Sequence, residues 1–355
     1  MRAILRQLGW LLLALLALYA LILAVTLLLV PRSAVGDRLN TARASSTLFL
    51  TEPKYVLMTR GRLDTDADKV ILLGASNTLA GFKQPQVQAL LPELEVHNLA
   101  VGGSNITQIS QIVDLIDEVQ TPAARRRNIY VIGLWYGVFV SDRARWYTPD
   151  RHGGDTDIDI ERYRYGFYRR TDQGPVAVLP PRELQLGITL IHPCLVLDLA
   201  ARRLTEKLRR LVSGKAPELT DAQRNAIVLS DAQRSRYLAF WRDYTGNATT
   251  LDDASFATLQ HLAEHVAAEG GELLLVDLPI PQWHAQGSVL ESDYRRRLTA
   301  LRASLSGQPR VHWLTLQDAG ASDDFSDEVH PKPRVTPRWA GQLAQALLQL
   351  PRNPT

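Results

Sequence analysis

Residues 69–81 read KVILLGASNTLAG, and their reading decides the fold. Val70, Ile71, Leu72 and Leu73 are an unbroken apolar run with β-branched members, the pattern of a parallel-sheet strand covered on both faces. Gly74 and Ala75 then allow a tight exit. Ser76 falls where strand gives way to helix, with its hydroxyl and the neighbouring backbone N–H groups facing the crevice that opens beyond such strands. That is a place for a nucleophile.

Downstream, the same strand-then-helix logic recurs. A helix is expected over 84–91 and a short strand over 94–98, followed by NLAVGGSNITQ at 98–108, where Gly102 and Gly103 mark a tight turn before Ser104 and Asn105. Ile106, Ile109, Ile112, Val113 and Ile116 keep helical spacing. A third unit starts with NIYVIGLWYGVF at 128–139, whose strand runs into Gly133 and the Trp135–Tyr136 pair. Alternating strands and helices define an open parallel α/β sheet. The alternation returns at residue 250, with helices over 252–268 and 292–305, strands over 272–276 and 311–316, and a last helix from about Thr336. Between the last strand and that helix lies DDFSDEVHPKP, which puts Asp327 and His330 three residues apart in a proline-marked loop.

Upstream, residues 10–30 read WLLLALLALYALILAVTLLLV without a charge, matching the roughly 20 apolar residues of a bilayer-spanning helix. A cleaved signal peptide is the alternative, but its apolar core is usually only about 7–15 residues long, and no convincing small-x-small site follows Pro31. Arg2 and Arg6 precede the span while Arg32, Asp37, Arg38 and Arg43 follow it, so the positive-inside rule is nearly balanced. A short N-terminus is the easier end to leave in the cytoplasm, with the bulk of the chain outside it. The expected organisation is an anchor at 1–32, a connector at 33–68, and a sheet domain at 69–141 and 250–355 interrupted by an insertion at 142–249. Within that insertion, 150–174 reads as an irregular excursion. A helix over 193–212 sets leucines on one side and Arg202, Arg203, Lys207, Arg209 and Arg210 on the other. Such a helix is an ordinary surface helix or one that contacts a membrane or partner.

The 355 residues suffice for a substantial core. A net charge of +3, with basic and acidic residues interspersed, gives no support to a nucleic-acid partner. The single cysteine, Cys194, rules out an internal disulfide and reads as a buried small hydrophobe.

Ligands in a doubly wound sheet bind beyond the carboxyl ends of the strands, where Ser76, Gly103, Trp135, Asp277 and the Asp327/His330 loop converge. Serine is a weak nucleophile that needs a base within reach, and the base needs an orienting acid; Ser76, His330 and Asp327 supply that minimum. Asp277 and His284 flank a proline-bearing loop at the same edge and are candidates for substrate contact or for stabilising the turn. His97, inside a strand, reads as a hydrogen-bonded core histidine. His261-Leu262-Ala263-Glu264-His265 fits the H-x-x-E-H zinc pattern. Phe256, Leu259, Leu262, Ala263 and Val266 define the buried side of that helix, however, and both histidines fall away from it. No metal or cofactor is expected.

At these residues the chain resembles the SGNH/GDSL hydrolase superfamily. Gly74-Ala75-Ser76-Asn77 is similar to the family's first block, residues 98–103 to its second and Asp327-Glu328-Val329-His330 to its last. The resemblance implies a three-layer α/β fold with a central parallel sheet. Ser76 would be the nucleophile, His330 the base and Asp327 its orienter, with the Ser76 and Gly103 N–H groups forming the oxyanion hole. In the third block, Gly133-Leu134-Trp135-Tyr136 replaces the usual glycine-x-asparagine, which leaves Asn77, Asn105 or the Trp135 indole as substitute donors. The N-terminal span, the aromatic third block and the insertion are closer to the membrane-anchored branch, which includes D-alanyl-lipoteichoic-acid biosynthesis protein D and the proteins of exopolysaccharide O-acetylation. That branch implies a single-pass protein of the bacterial inner membrane with its catalytic domain on the periplasmic or extracellular side. It would handle acyl groups, acetyl above all, on an envelope or secreted glycan beside a membrane-bound O-acyltransferase, as transferase or esterase. A non-catalytic scaffold or glycan-binding relative, and a zinc hydrolase using His261, Glu264 and His265, are the alternatives.

Overall fold

The computed structural model describes residues 1–29, 53–140, 154–172, 174–214 and 219–351. Its centre is a five-stranded parallel sheet of β1 (Lys69–Leu73), β2 (Glu95–Asn98), β3 (Asn128–Leu134), β6 (Glu272–Asp277) and β7 (Val311–Thr315), in the order β2-β1-β3-β6-β7. Chain direction across the sheet reverses between β1 and β3, where Leu73 pairs with Ile132. Beyond such a switch point the flanking loops diverge and leave a crevice.

Alternation along the strands assigns the two faces. Ile71, Leu73, Tyr130, Ile132, Leu273 and Leu275 point to one side, against α5 (Ile106–Asp117), α11 (Asp253–Ala268) and α13 (Val289–Ser304). Val70, Leu72, Val131, Leu274 and Val276 point to the other, against α4 (Gln84–Leu90) and α14 (Thr336–Leu348). Every residue of β1 is buried, as the unbroken apolar run requires. Between β1 and α4, α3 (Ser76–Gly81) is a single short helix. Gly133 and Gly74 give it room: a Cβ on either would approach Thr78 Oγ1 to 2.1 or 2.2 Å. Gly74 also has φ +143°, which a side chain would strain.

The strand expected to run from Asn128 into Gly133 and the Trp135–Tyr136 pair is β3, which ends at Leu134, and Tyr136–Phe139 forms a 3₁₀ turn. Gly137 gives the Trp135 ring room to fold over this turn, since a Cβ there would lie 2.3 Å from Trp135 Cζ2. Part of the expected irregular excursion over 150–174 lies outside the described residues. The remainder is ordered as α6 (Asp157–Arg164) and a hairpin of β4 (Tyr168–Thr171) and β5 (Gly174–Ala177). Thr156 and Asp159 cap α6 reciprocally. Arg60, Arg162 and the Tyr168 hydroxyl all bond to Glu118, a nonlocal cluster that holds the hairpin down. Among the described residues that follow the hairpin and precede α11, the chain forms the helices α7 (Pro181–Leu190), α8 (His192–Val212), α9 (Asp221–Asn225) and α10 (Asp231–Tyr244). Of the connector expected over 33–68, the described part begins with α2 (Pro53–Thr59), whose Val56 and Leu57 join the core. α1 (Arg2–Leu29) is one continuous helix, long and apolar enough to cross a membrane.

Candidate active site

Ser76 opens α3 immediately beyond β1, and Ala75, the preceding residue, is extended. The second βα turn is tied beside it, because the Val101 N–H donates to the Gly74 carbonyl at 3.1 Å. This brings Gly103, at φ +77°, into the loop next to Ser76. On the sheet's other face, Gly81 at the end of α3 lets Trp339 and Pro331 close on the same helix. The loop carrying Asp327 and His330 is thereby anchored against the helix carrying Ser76.

That loop is closed by an antiparallel bridge between Phe325 and Pro331 and by the Ser326 N–H donating to the His330 carbonyl at 2.9 Å. Asp327 Oδ1 accepts from the backbone N–H groups of Val329 (3.0 Å) and His330 (2.8 Å). Asp327 Oδ2 is 2.8 Å from His330 Nδ1, and His330 Nε2 is 2.8 Å from Ser76 Oγ. With Nδ1–H donated to the carboxylate, the Nε2 lone pair is left to accept the serine proton. Burial pushes the Asp327 carboxyl up, but the His330 ring and the hydrogen bonds outweigh it and hold the group below its ordinary value. Burial pushes His330 down, and the Asp327 charge and hydrogen bond outweigh that, so its pKa is raised.

Three side chains were expected as alternatives for the third oxyanion donor, and the structure separates them. Asn105 is the N-cap of α5, its Oδ1 accepting from Gln108 N–H at 3.1 Å while the Gln108 amide returns to the Asn105 N–H. Its Nδ2 reaches the Val140 carbonyl at 3.5 Å, so Asn105 serves as a helix cap in this structure. Asn77 and Trp135 are both buried, and Asn77 Nδ2 and Trp135 Nε1 have no protein acceptor among the described residues.

Of the two roles expected for Asp277 and His284, substrate contact or stabilising the turn, their partners here are internal ones. Asp277 is buried and accepts from the Tyr294 hydroxyl at 2.9 Å and from Arg295 at 2.5 Å; burial raises its pKa in spite of Arg295. His284 is fully buried, with Nδ1 2.7 Å from the Glu328 carbonyl and Nε2 2.5 Å from the Tyr136 hydroxyl. Burial lowers its pKa to about 4, so at neutral pH Nδ1–H donates to Glu328 and Nε2 accepts from Tyr136. Glu328 lies inside the loop that carries Asp327 and His330. The aromatic third block is therefore linked through one histidine to the peptide between Asp327 and His330. Sequence reasoning missed this role for Tyr136 and His284, which are 148 positions apart and carry no local signal of pairing. Trp241 on α10 was missed as well; it packs edge-on against Trp135 at 5.0 Å and Tyr136 at 5.7 Å. Trp241 and Tyr136 also wall a cavity of ≈ 250 Å³ completed by Leu238, Thr245, Ser288 and Leu290. Arg224 on α9 is close enough to lower the His330 pKa, so the segment between β3 and β6 borders the site.

The zinc pattern does not assemble. His265 Nε2 is 2.8 Å from Asp117, Glu264 accepts from Gln260, and His261 is largely exposed. No group of three or more His, Cys, Asp or Glu side chains among the described residues could hold a metal. His97 is buried on β2 with Nε2 3.5 Å from Glu95. Cys194, expected to be buried, is exposed in the first turn of α8. No family model matches the chain, and no curated protein matches it.

Proposed function

We infer that Ser76 is the nucleophile of an acyl-transfer reaction in a membrane-anchored O-acyltransferase or esterase, with His330 as general base and Asp327 as its orienter. The observation that carries this reading is the continuous 2.8 Å relay from Ser76 Oγ through His330 to Asp327. In the reaction, His330 Nε2 takes the Ser76 proton as Oγ attacks the acyl carbonyl, and returns it to the leaving oxygen as the tetrahedral adduct collapses. The acyl group is then held on Ser76. In the second half, His330 deprotonates an acceptor hydroxyl, from a sugar in transfer or from water in hydrolysis, and the proton goes back to Ser76 Oγ. The Ser76 and Gly103 N–H groups are the backbone oxyanion donors in this reading, and the unpartnered Asn77 and Trp135 N–H groups are the remaining candidates for a third. Losing one such donor costs roughly 10²–10³ in rate, so the third donor determines how fast the chemistry runs. The glycan acceptor, the acetyl group, the membrane-bound O-acyltransferase partner and the extracytoplasmic side follow from the SGNH/GDSL resemblance.

The test is intact-mass analysis of the full chain in detergent after exposure to a serine-reactive phosphonate. One adduct is expected on the wild type and none on Ser76→Ala, with the rate on His330→Ala reduced by roughly 10²–10⁴. No adduct on a folded wild-type chain would overturn the catalytic reading in favour of a scaffold.

A further inference from the structure

Beyond residue 29, sixteen large apolar side chains are exposed among the described residues, and ten of them lie within residues 176–212. The exposed apolar surface is thus concentrated on the hairpin edge and on α7 and α8. Along α8, Cys194, Leu197, Ala201, Leu204, Leu208 and Leu211 follow one another at alternating intervals of three and four. This spacing forms a single stripe, and every member of it is exposed. The opposite side of the first turns is the one that packs, with Leu195 and Val196 buried.

α1 docks at this same corner. The Tyr19 hydroxyl donates to the Leu190 carbonyl, and Arg62 donates to the Leu27 carbonyl at 3.3 Å. Tyr19 lies about 15 Å before the end of α1 at 1.5 Å per residue. If the apolar run over 10–30 fills the bilayer, Tyr19 is near mid-span, and Leu190 is drawn within the membrane thickness. If α1 is shifted until Tyr19 reaches the interface, Leu190 lies in the interface. Both placements bring the turn between α7 and α8 to lipid, and the second, with α8 starting two residues after Leu190, is the one that leaves α8 in the interface; the exposed stripe begins at that turn.

Charge is concentrated in the same place. Residues 169–212 hold eight Lys/Arg and four Asp/Glu, a net +4, although the whole chain carries only +3. We propose that α7 and α8 form a second membrane-contact surface beside α1, with α8 lying in the interface of an anionic phospholipid bilayer and its leucine stripe turned to the acyl chains. A second copy of the chain is the competing occupant, since three-four spacing also suits helix pairing. Residues 202–210, however, carry five basic residues and one acidic residue, so two such helices repel. A polybasic segment is instead drawn to an anionic surface. The proposal needs α1 to span the membrane and is independent of the acyl chemistry at Ser76.

The full chain, reconstituted into phosphatidylcholine vesicles with and without phosphatidylglycerol, tests this by nitroxide accessibility. Labels go on the native Cys194 and, in a Cys194→Ser background, on Leu208→Cys. Leu15→Cys is the hydrocarbon reference, and Gln345→Cys, exposed on the other face of the sheet, is the aqueous one. In anionic vesicles the labels at 194 and 208 should collide with a water-soluble nickel complex on the order of tenfold less often than at 345, while staying accessible to oxygen. Protection at 208 should weaken without phosphatidylglycerol. The proposal is overturned if 208 behaves like 345 while 15 reads as hydrocarbon. Shielding of 208 from both reagents, relieved by dilution with unlabelled chain, would assign the stripe to a second copy and overturn it equally. A water-like signal at 15 would remove α1 from the membrane, and the proposal with it. None of these outcomes bears on phosphonate labelling of Ser76, so the two readings can fail separately.

Discussion

His330 must be neutral at Nε2 to accept the serine proton, and Asp327 raises its pKa above the ordinary 6.5. Phosphonate labelling of Ser76 should therefore accelerate as pH rises through a single titration above 6.5, and slow below it; a rate that is flat from pH 6 to 9 would remove His330 as base. Tyr136 and His284 act one step back, by holding the Glu328 carbonyl of the loop that carries Asp327 and His330. Tyr136→Phe leaves the buried His284 Nε2 without its donor, an unmade hydrogen bond worth about 1–3 kcal/mol. This variant and His284→Ala should remain folded yet label on the order of tenfold more slowly, because small misplacements of a catalytic group are costly. If urea midpoints fall while the labelling rate holds, the contact stabilises the fold without positioning the base.

At the scale of elements, βα turns set the site. α3 and α5 begin beside each other because the Gly74 carbonyl accepts from Val101, and α5 is fixed in place by the Asn105–Gln108 capping box. Asn105→Ala should cost about 1 kcal/mol of stability, the usual value of an N-cap, with a labelling rate within about threefold of wild type once the protein is folded. A loss of roughly 10²-fold in rate at unchanged stability would instead mark Asn105 as an oxyanion donor.

Across the whole molecule, three histidines contribute opposing pH limbs, beside buried carboxyls such as Asp277 and Glu291 whose raised pKa favours the folded chain as pH falls. Burial lowers His284 and His192 to about 4, Arg62 adding to the effect at His192. Between pH 6.5 and 4 the unfolded chain therefore binds protons at these two sites that the folded chain does not, and stability falls as pH falls through this window. His330 runs the other way. Its folded pKa is raised, so its contribution is complete below 6.5 and is lost as pH rises through the folded value. Urea midpoints of the full chain in detergent should decline from pH 6.5 to 5. His284→Ala, although less stable at neutral pH, should show a shallower decline. An acid limb unchanged in that variant would mean that other groups produce it.

The sequence by itself determined the anchor-length helix, the parallel α/β class and nearly every sheet strand and flanking helix, because buried strands and amphipathic helices write their burial into local periodicity. It also singled out Ser76, Asp327 and His330, since a small-residue turn after a strand and an Asp-x-x-His before a proline are local patterns. Only the tertiary structure decided that Tyr136–Phe139 is a 3₁₀ turn, that Asn105 is a cap, and that Asp277 and His284 are interior residues. Tertiary structure also decided that the stripe on α8 faces outward beside α1. Each of these depends on which distant side chain supplies a partner: Trp135 folding over Gly137, Tyr136 and Glu328 meeting His284, Tyr294 and Arg295 closing on Asp277. Periodicity reports that a residue is buried or exposed; it carries no information about what the residue meets across the fold.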